Sequence, residues 1–277
     1  MTSDLLATAR MLDRVAVLVG AGVPTPRAWT LATRSSGRTV RLPDPLRCDV
    51  EGVLAVADRT GAPVVPAMRS LAAALRETAE TDRAVRVALA GPRTSARVVL
   101  ALPLLAVVLG ATWGVDTVGV LLGSPAGWAV VATAAALVVL AQRWTGRLVR
   151  AVTPDGSVPG LLLDVWAIAV SGGGAWRGAR DQVDAVFGGR SWPVGDEQRL
   201  AETLELAERS GVPAAGLLRA SAVDLRAERA AEGLADAERL AVRLVVPLGV
   251  CVLPAFVLVG VVPVVVGLLS STGTLLP

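Results

Sequence analysis

Three long apolar stretches alternate with amphipathic, charge-rich segments along the 277 residues of the chain. They run from Val98 to Trp113, from Trp128 to Ala141 and from Leu244 to Leu269, and none of them contains a charged residue. A helix needs roughly 20 apolar residues to cross about 30 Å of hydrocarbon. The third stretch meets this length, whereas the first two are shorter and are also compatible with a single apolar hairpin. We predict three transmembrane helices, of which the first two form a hairpin.

Arginines gather at one end of each apolar stretch, and this asymmetry predicts the sidedness of the chain. The loop between the first two stretches has Asp116 as its sole charge. Because positive residues are retained on the cytoplasmic side, we expect the N-terminal region and residues 150–243 in the cytoplasm and the C-terminal tail outside. Fixing the orientation of the chain in the membrane is a sufficient explanation for these arginines. They are Arg93, Arg97, Arg143, Arg147, Arg150, Arg239 and Arg243.

The amphipathic segments before the first and the third stretch resemble each other. The sequence ADRTGAPVVPAMRSLAAALR recurs 150 residues later as AERSGVPAAGLLRASAVDLR, and nine of 26 residues are identical between Glu51–Arg76 and Ala201–Arg226. After an offset of four residues, which is close to one helical turn, the two arginines before each span also align. The identical positions are Leu54/Leu204, Ala57/Ala207, Arg59/Arg209, Gly61/Gly211, Pro63/Pro213, Arg69/Arg219, Ala72/Ala222, Leu75/Leu225 and Arg76/Arg226.

Each copy begins upstream with a further helix and a glycine turn, and Asp13 aligns with Asp164. Glycine ends helices in a left-handed cap, and proline suits the first turn of the helix that follows. Each copy is therefore predicted as helix, glycine turn, helix, polar loop, helix, Gly-x-Pro turn and a long helix leading into a span.

The predicted fold is all-α, an integral membrane protein with two cytoplasmic helical-bundle repeats and three transmembrane helices. The predicted domains are a first bundle (1–97), a hairpin of two spans (98–144), a second bundle (145–243) and a last span with an external tail (244–277).

The residue types that are missing restrict the chemistry of the chain. It contains no Lys, His, Asn or Tyr, and its two cysteines are Cys48 in a polar segment and Cys251 in the third apolar stretch. Catalytic triads, histidine-containing metal sites, Walker-A lysines and Schiff bases are thereby excluded. Gly172–Gly174 lacks the Gly-Lys-Ser/Thr ending of a phosphate loop, so a helix-terminating turn is predicted there. We expect no enzyme, no cofactor and no metal site.

Charged residues near the Gly-x-Pro turns and on the long helices are the candidates for partner binding. Arg69 and Arg76 are seven residues apart, as are Arg219 and Arg226, so each pair is predicted to share one helix face. Such a face is ordinarily a solvated arginine surface, and its functional alternative is the docking of an acidic partner or of lipid headgroups. The full candidate set is Asp58, Arg59, Arg69, Arg76, Glu208, Arg209, Arg219 and Arg226.

Four stretches of the chain together carry a family resemblance. Gly20–Pro24 has the form of a Gly-Val-Pro turn, Glu208–Pro213 that of a later Ser-Gly turn, Ser95–Gly110 that of an entry to middle spans, and Arg243–Leu269 that of a closing span. In this order they resemble the membrane platform proteins of type II secretion and type IV pilus machines, the type II secretion F-domain family. The tight-adherence (Tad/Flp pilus) branch is the most similar. The resemblance covers most of the chain, although Gly172–Ala175 replaces the Gly-Val-Pro turn in the second copy.

This resemblance implies an inner-membrane platform subunit that couples a cytoplasmic secretion ATPase to pilin assembly or protein export. It implies as partners a hexameric secretion ATPase, pilin or pseudopilin subunits, a sister platform protein or further copies of the chain, and membrane lipids, but no nucleic acid. It places the chain in the bacterial cell membrane with the N-terminus cytoplasmic and the C-terminus external.

A transporter or permease subunit is the alternative function. It would need polar or ionisable residues at mid-membrane, and the predicted spans offer only Thr112, Asp116 near one end, Thr133 and Cys251, which argues against it.

Overall fold

The computed structural model describes residues 2–35, 44–112, 119, 123–153, 157–173 and 176–265. Within these ranges the regular elements are helices and no strand is present, so the predicted all-α class is confirmed. Trp113, Asp116 and the predicted external tail lie outside the described residues. The helices are α1 (Thr2–Gly20), α2 (Thr25–Ser35), α3 (Asp44–Thr60), α4 (Val64–Ala88), α5 (Ala90–Thr112), α6 (Pro125–Val152), α7 (Leu161–Ser171), α8 (Trp176–Phe187), α9 (Val194–Ser210) and α10 (Ala214–Arg243). A C-terminal helical segment follows, made of Val245–Pro247, Leu248–Val252, Leu253–Phe256 and Val257–Val261 and continuing to residue 265.

The chain divides into two compact units, and neither is a continuous stretch of sequence. The first unit comprises Met1–Ala84 and Pro154–Glu232, and the second comprises Val85–Thr153 and Gly233–Pro277. The division falls within α4 and within α10, so it differs from the predicted domain boundaries. Most of both predicted bundles belongs to the first unit, because helices from both halves of the chain bury apolar residues in one core.

Helix α7 lies at the centre of the first unit. Its residues from Leu161 to Ala169 are all buried, which is the expected place for a helix that is apolar on nearly every face. It packs against α3 from the first half of the chain and against α8 and α9 from the second half. Leu12, Leu71 and Leu218 complete the same hydrophobic core. The one charged residue within this buried stretch, Asp164, therefore needs a partner.

The glycine turns of the two halves have matching geometry, and the predicted turns are confirmed at these positions. Helices α3 and α9 both contain 17 residues, and Gly61 and Gly211 follow them with φ of 68° and 69°. A left-handed residue that carries a Cβ costs roughly 1–2 kcal/mol, so glycine is favoured at both positions. Upstream, Gly22 and Gly173 also adopt positive φ, each two residues after the end of α1 or α7.

The second unit is built from α5, α6 and the C-terminal helical segment, which pack against one another. Ser124 caps α6 by accepting a 3.0 Å hydrogen bond from the Gly127 amide, and Pro125 occupies the first turn. The C-terminal segment widens into π-helical turns before and after Pro254, which has no N–H to donate to the helix. At Gly260 the backbone approaches α5 closely, and an added Cβ would lie 3.0 Å from that of Ala106.

Three helical stretches among the described residues are long and apolar enough to cross a membrane. They are Val64–Leu109, Pro125–Val152 and Ala214–Val265. Each contains most of one predicted apolar stretch, so the prediction of three such helices is confirmed. Length and composition together indicate a membrane protein.

Candidate partner-binding surface and a buried arginine

The eight predicted contact residues differ in exposure. Five are exposed, two are half-buried and one is buried. Within the described part of the chain, no hydrogen bond or ion pair joins any two of the eight. The exposed residues are Asp58, Arg59, Arg69, Glu208 and Arg209, the half-buried ones are Arg76 and Arg219, and the buried one is Arg226.

The exposed charges before the glycine turns lie in the last turns of α3 and α9. Arg59 Nε donates a 2.7 Å hydrogen bond to Gln182 Oε1 of α8, and Arg209 pairs with Glu205 one turn back at 3.2 Å. A cation in the last turn also interacts favourably with the carbonyl end of its helix. Each helix end thus presents charges of both signs on an ordered backbone, which suits recognition of a charged protein surface.

The predicted solvent-facing position of Arg226 is wrong. Its side chain is 8% exposed, and its Nη1 donates a 2.8 Å hydrogen bond to Asp164 Oδ2 of α7. Its Nε donates to Glu77 Oε2 of α4 at 2.5 Å, so one guanidinium binds carboxylates from both halves of the chain. Spacing along α10 relates Arg226 to Arg219 but does not show that α7 covers this part of the helix. Arg226 therefore does not belong to the accessible candidate surface.

The other half of the chain contains the same ion pair at the aligned positions. Arg76 of α4 pairs with Asp13 of α1, as Arg226 pairs with Asp164. Both Arg76 and Asp13 are more than one third exposed, because α1 does not have the central position of α7. Opposite charges at matched positions in the two halves of the chain are the signal that identifies these partners in the sequence. Glu77 gives no such signal, since its aligned position is Ala227.

Two buried carboxyl groups in the first unit have raised pKa values. Burial raises the pKa of Asp164, and the charge and hydrogen bond of Arg226 offset part of that effect. Burial also raises the pKa of Asp196 in the first turn of α9, although its carboxylate accepts a 3.3 Å hydrogen bond from the Gly160 amide. Both carboxyl groups have protein partners, which is the pattern of structural groups inside a helical core.

Each unit has a groove among its described residues. In the first unit, a polar groove of about 320 Å³ between α9 and α10 is lined by charges that pair with one another, as Arg199 does with Glu228 at 2.7 Å. In the second unit, an apolar groove of about 740 Å³ between α5 and the C-terminal segment has no charged lining residue. Among the described residues, no cluster of three or more His, Cys, Asp or Glu side chains is placed to hold a metal ion.

Comparison with known proteins identifies no relative of this chain. No protein-family model, curated protein or solved structure matches it.

Proposed function

We propose that the chain is an inner-membrane platform subunit of a Tad-like, type IV pilus-like or type II secretion-like apparatus. In this role it couples a cytoplasmic secretion ATPase to pilin assembly or protein export, and nucleotide hydrolysis by the partner supplies the energy. One observation carries the proposal. The same order of helices and glycine turns occurs in both halves of the chain, and in each half it leads into a helix apolar enough to cross a membrane.

Matched boundaries support the inference that the two halves are copies of one helical unit. Helices α1 and α7 end, and α2 and α8 begin, at positions 151 residues apart. Helices α3 and α9, and the starts of α4 and α10, are offset by 150 residues. The ion pairs Asp13–Arg76 and Asp164–Arg226 follow the same correspondence. Agreement in boundaries, left-handed glycines and ion pairs is not expected from an arginine- and alanine-rich composition alone.

The connection from turn to span suggests how the chain transmits force. Helix α4 starts after the turn at Gly61 and ends at Ala88, one residue before the helix that contains the first apolar stretch. Helix α10 starts after the turn at Gly211 and ends at Arg243, directly before the third stretch. A protein bound at either turn is thus linked to a span by one hydrogen-bonded helix with a rise of about 1.5 Å per residue.

The distribution of arginines supports a cytoplasmic location for both helical copies. Arg93 and Arg97 precede the first span, and Arg239 and Arg243 precede the third. If both intervening apolar helices cross the membrane, the two copies lie on the same side, which agrees with the distribution of arginines. A cytoplasmic ATPase would therefore have access to Asp58 and Arg59 in one copy and to Glu208 and Arg209 in the other.

Binding of a secretion ATPase to the full chain tests this proposal. We expect the chain, purified in detergent and reconstituted in nanodiscs, to bind a hexameric secretion ATPase from the same organism. Exchanging the charges by Glu208→Arg with Arg209→Glu is expected to weaken binding about fivefold or more, because the local charges reverse while the net charge stays constant. Arg180→Glu on α8 is the matched control, since this exposed residue is outside the candidate set and its change should leave binding unaltered.

Two negative results together would contradict the proposal. The first is the absence of binding to every candidate secretion ATPase, with the reconstituted chain shown to be helical. The second is normal pilus assembly and protein export in a strain from which the chain has been deleted.

A further inference from the structure

Helix α6 changes from an apolar stretch to a positively charged end. It carries no charge as far as Ala141, and Arg143, Arg147 and Arg150 follow before it ends at Val152. These three residues form an arginine row. All of them are exposed, and α6 contains no Asp or Glu. The row thus stands at the end of a helix that is long and apolar enough to cross a membrane.

The arginine row occupies one face of α6. Its spacing of four and three residues, at about 3.6 residues per turn, keeps the three side chains within about 60° around the helix axis. The buried Ala134 and Ala141 lie on the opposite side and pack against α5 and the C-terminal segment. Orientation of the chain in a membrane requires positive charges at one end of a span, but it does not require that they share a face. The shared face is therefore a feature that sidedness alone does not explain.

The described part of the chain offers the arginine row no anionic partner. Some exposed arginines of other helices pair with an acid one turn away, as Arg180 does with Asp184 at 3.6 Å. In the row, Arg150 Nε donates a 3.1 Å hydrogen bond to the Gly146 carbonyl, and none of the three arginines forms an ion pair with a described residue. Like charges one turn apart destabilise a helix, so an external anion between them would be favoured.

An arginine of α5 extends this positive surface. Arg93 Nη2 donates a 2.6 Å hydrogen bond to Oγ1 of Thr153, the residue that directly follows α6. The Nε of Arg93 is buried and has no acceptor among the described residues. A hydroxyl acceptor satisfies a donor but does not neutralise the positive charge. The end of α6 therefore gathers cationic groups from two helices, and no described acid pairs with them.

We propose that the arginine row binds the headgroup of an anionic phospholipid. The row begins two residues after Ala141, the last residue of the apolar stretch, and Trp144 beside it is 39% exposed. Indole rings prefer the membrane–water interface, so this part of α6 lies at the depth of the headgroups. Each headgroup layer is roughly 5–8 Å thick, and the row extends about 10 Å along the helix, so the row spans this layer.

The chemistry of the arginine row selects the kind of headgroup. A planar guanidinium donates two parallel hydrogen bonds to a phosphate, which an ammonium ion cannot do. Phosphatidylglycerol carries a net negative charge, whereas the ammonium group of phosphatidylcholine cancels the charge of its phosphate and is repelled by the row. A partner protein is less suited, because its acids would have to enter the headgroup layer next to the span. The charge and the depth of the row thus both favour an anionic lipid.

Lipid binding to the full chain in a neutral detergent tests this site without the ATPase and whatever the orientation of the chain. Dioleoylphosphatidylglycerol is titrated, dioleoylphosphatidylcholine is the reference lipid, and native mass spectrometry counts the lipids bound per chain. We expect at least a tenfold preference for the anionic lipid. Arg147→Gln is expected to weaken its binding about fivefold, which is the effect of one arginine near a membrane surface. Arg243→Gln is the matched control and should change binding less than about twofold, because this exposed arginine also adjoins an apolar stretch but lies outside the row.

An exchange that conserves charge separates a defined site from a general attraction. Gln142→Arg together with Arg143→Gln keeps the net charge and moves one arginine about 100° around α6, away from the row. We expect this exchange to weaken binding of dioleoylphosphatidylglycerol about as much as Arg147→Gln does. Because Gln142 and Arg143 are both exposed, the variant should fold like the wild type.

Four results would overturn the proposal. Equal binding of the two lipids would show that the arginine row does not select the charge of the headgroup. Equal weakening by Arg147→Gln and Arg243→Gln, or wild-type binding by the exchange variant, would indicate a diffuse attraction by all positive charges of the chain. Displacement of the bound lipid by inorganic phosphate would indicate a site for a free anion.

Discussion

Arg76 and Arg226 bind aspartates at aligned positions, but in environments that differ in burial. Asp164 and Arg226 are 3% and 8% exposed, whereas Asp13 and Arg76 are 37% and 39% exposed. Water screens the outer pair, and such exposed pairs contribute roughly 0–1 kcal/mol. The inner pair has lost its hydration, so removal of one partner leaves an uncompensated charge in the core.

Arg226→Ala is therefore expected to lower the free energy of unfolding by roughly 3–5 kcal/mol, and Arg76→Ala by at most about 1 kcal/mol. Denaturation of the full chain in detergent, followed by intrinsic tryptophan fluorescence, to which the buried Trp166 contributes, measures both changes. Arg69→Ala, on an exposed position of α4, is the control and should be near neutral. Equal effects of Arg226→Ala and Arg76→Ala would show that burial does not distinguish the two pairs.

The raised pKa of Asp196 predicts a pH dependence with a definite sign. Because the folded state holds this proton more tightly than the unfolded state, the associated stability is present below the unfolded pKa of about 3.9. It is lost as the pH rises through the folded pKa. Asp196→Asn removes the titration, so the stability of the variant relative to the wild type should increase as the pH rises above about 3.9. A trend of opposite sign for Asp196→Asn would refute the prediction.

Close approach of backbones sets the packing of whole helices in the first unit. Gly172, at the end of α7, meets the carbonyl of Thr60 at the end of α3, and its φ of −74° is open to any residue. The sequence predicts a turn at Gly172 but not this contact, since residues 60 and 172 are far apart in the chain. A helix end marked by glycine can be predicted from the neighbouring residues in the sequence. The helix that packs against that end cannot be predicted in this way.

Gly172→Ala is thus expected to destabilise the chain by roughly 1–3 kcal/mol, because the added methyl group has no space and a backbone carbonyl cannot turn aside. Gly20→Ala is the matched control. Gly20 ends α1, the helix that aligns with α7, and an added Cβ at this position meets nothing within 4 Å. Thermal unfolding of both full-length variants measures the difference. Equal melting temperatures would contradict the close contact between α7 and α3.

For the whole molecule, periodicity and composition predict the all-α class and the three long apolar helices. They do not predict that parts of both predicted bundles belong to one compact unit, because no local pattern reports contacts between halves that are about 150 residues apart. The absence of any local signal for distant contacts also explains why only part of the candidate surface was predicted correctly. Asp58, Arg59, Glu208 and Arg209 are exposed as expected, whereas the burial of Arg226 depends on α7, a distant helix.

The proposed sidedness predicts which cysteines react from outside the cell. A membrane-impermeant maleimide should label Ser124→Cys, which precedes α6, in intact cells of a Cys48→Ser, Cys251→Ala strain. The exposed native Cys48 in a Cys251→Ala strain should react only after the cells are opened. Labelling of Cys48 in intact cells, with Ser124→Cys protected, would reverse the orientation.

The rate of ATP hydrolysis tests the central claim most directly. A hexameric secretion ATPase from the same organism is measured with nanodiscs that contain the full chain and with empty nanodiscs. The platform function predicts a saturable rise in rate with the chain, a loss of that rise with Glu208→Arg and Arg209→Glu together, and an unchanged rise with Arg180→Glu. An identical rate with full and empty nanodiscs at saturating concentration, for every candidate ATPase, would contradict it.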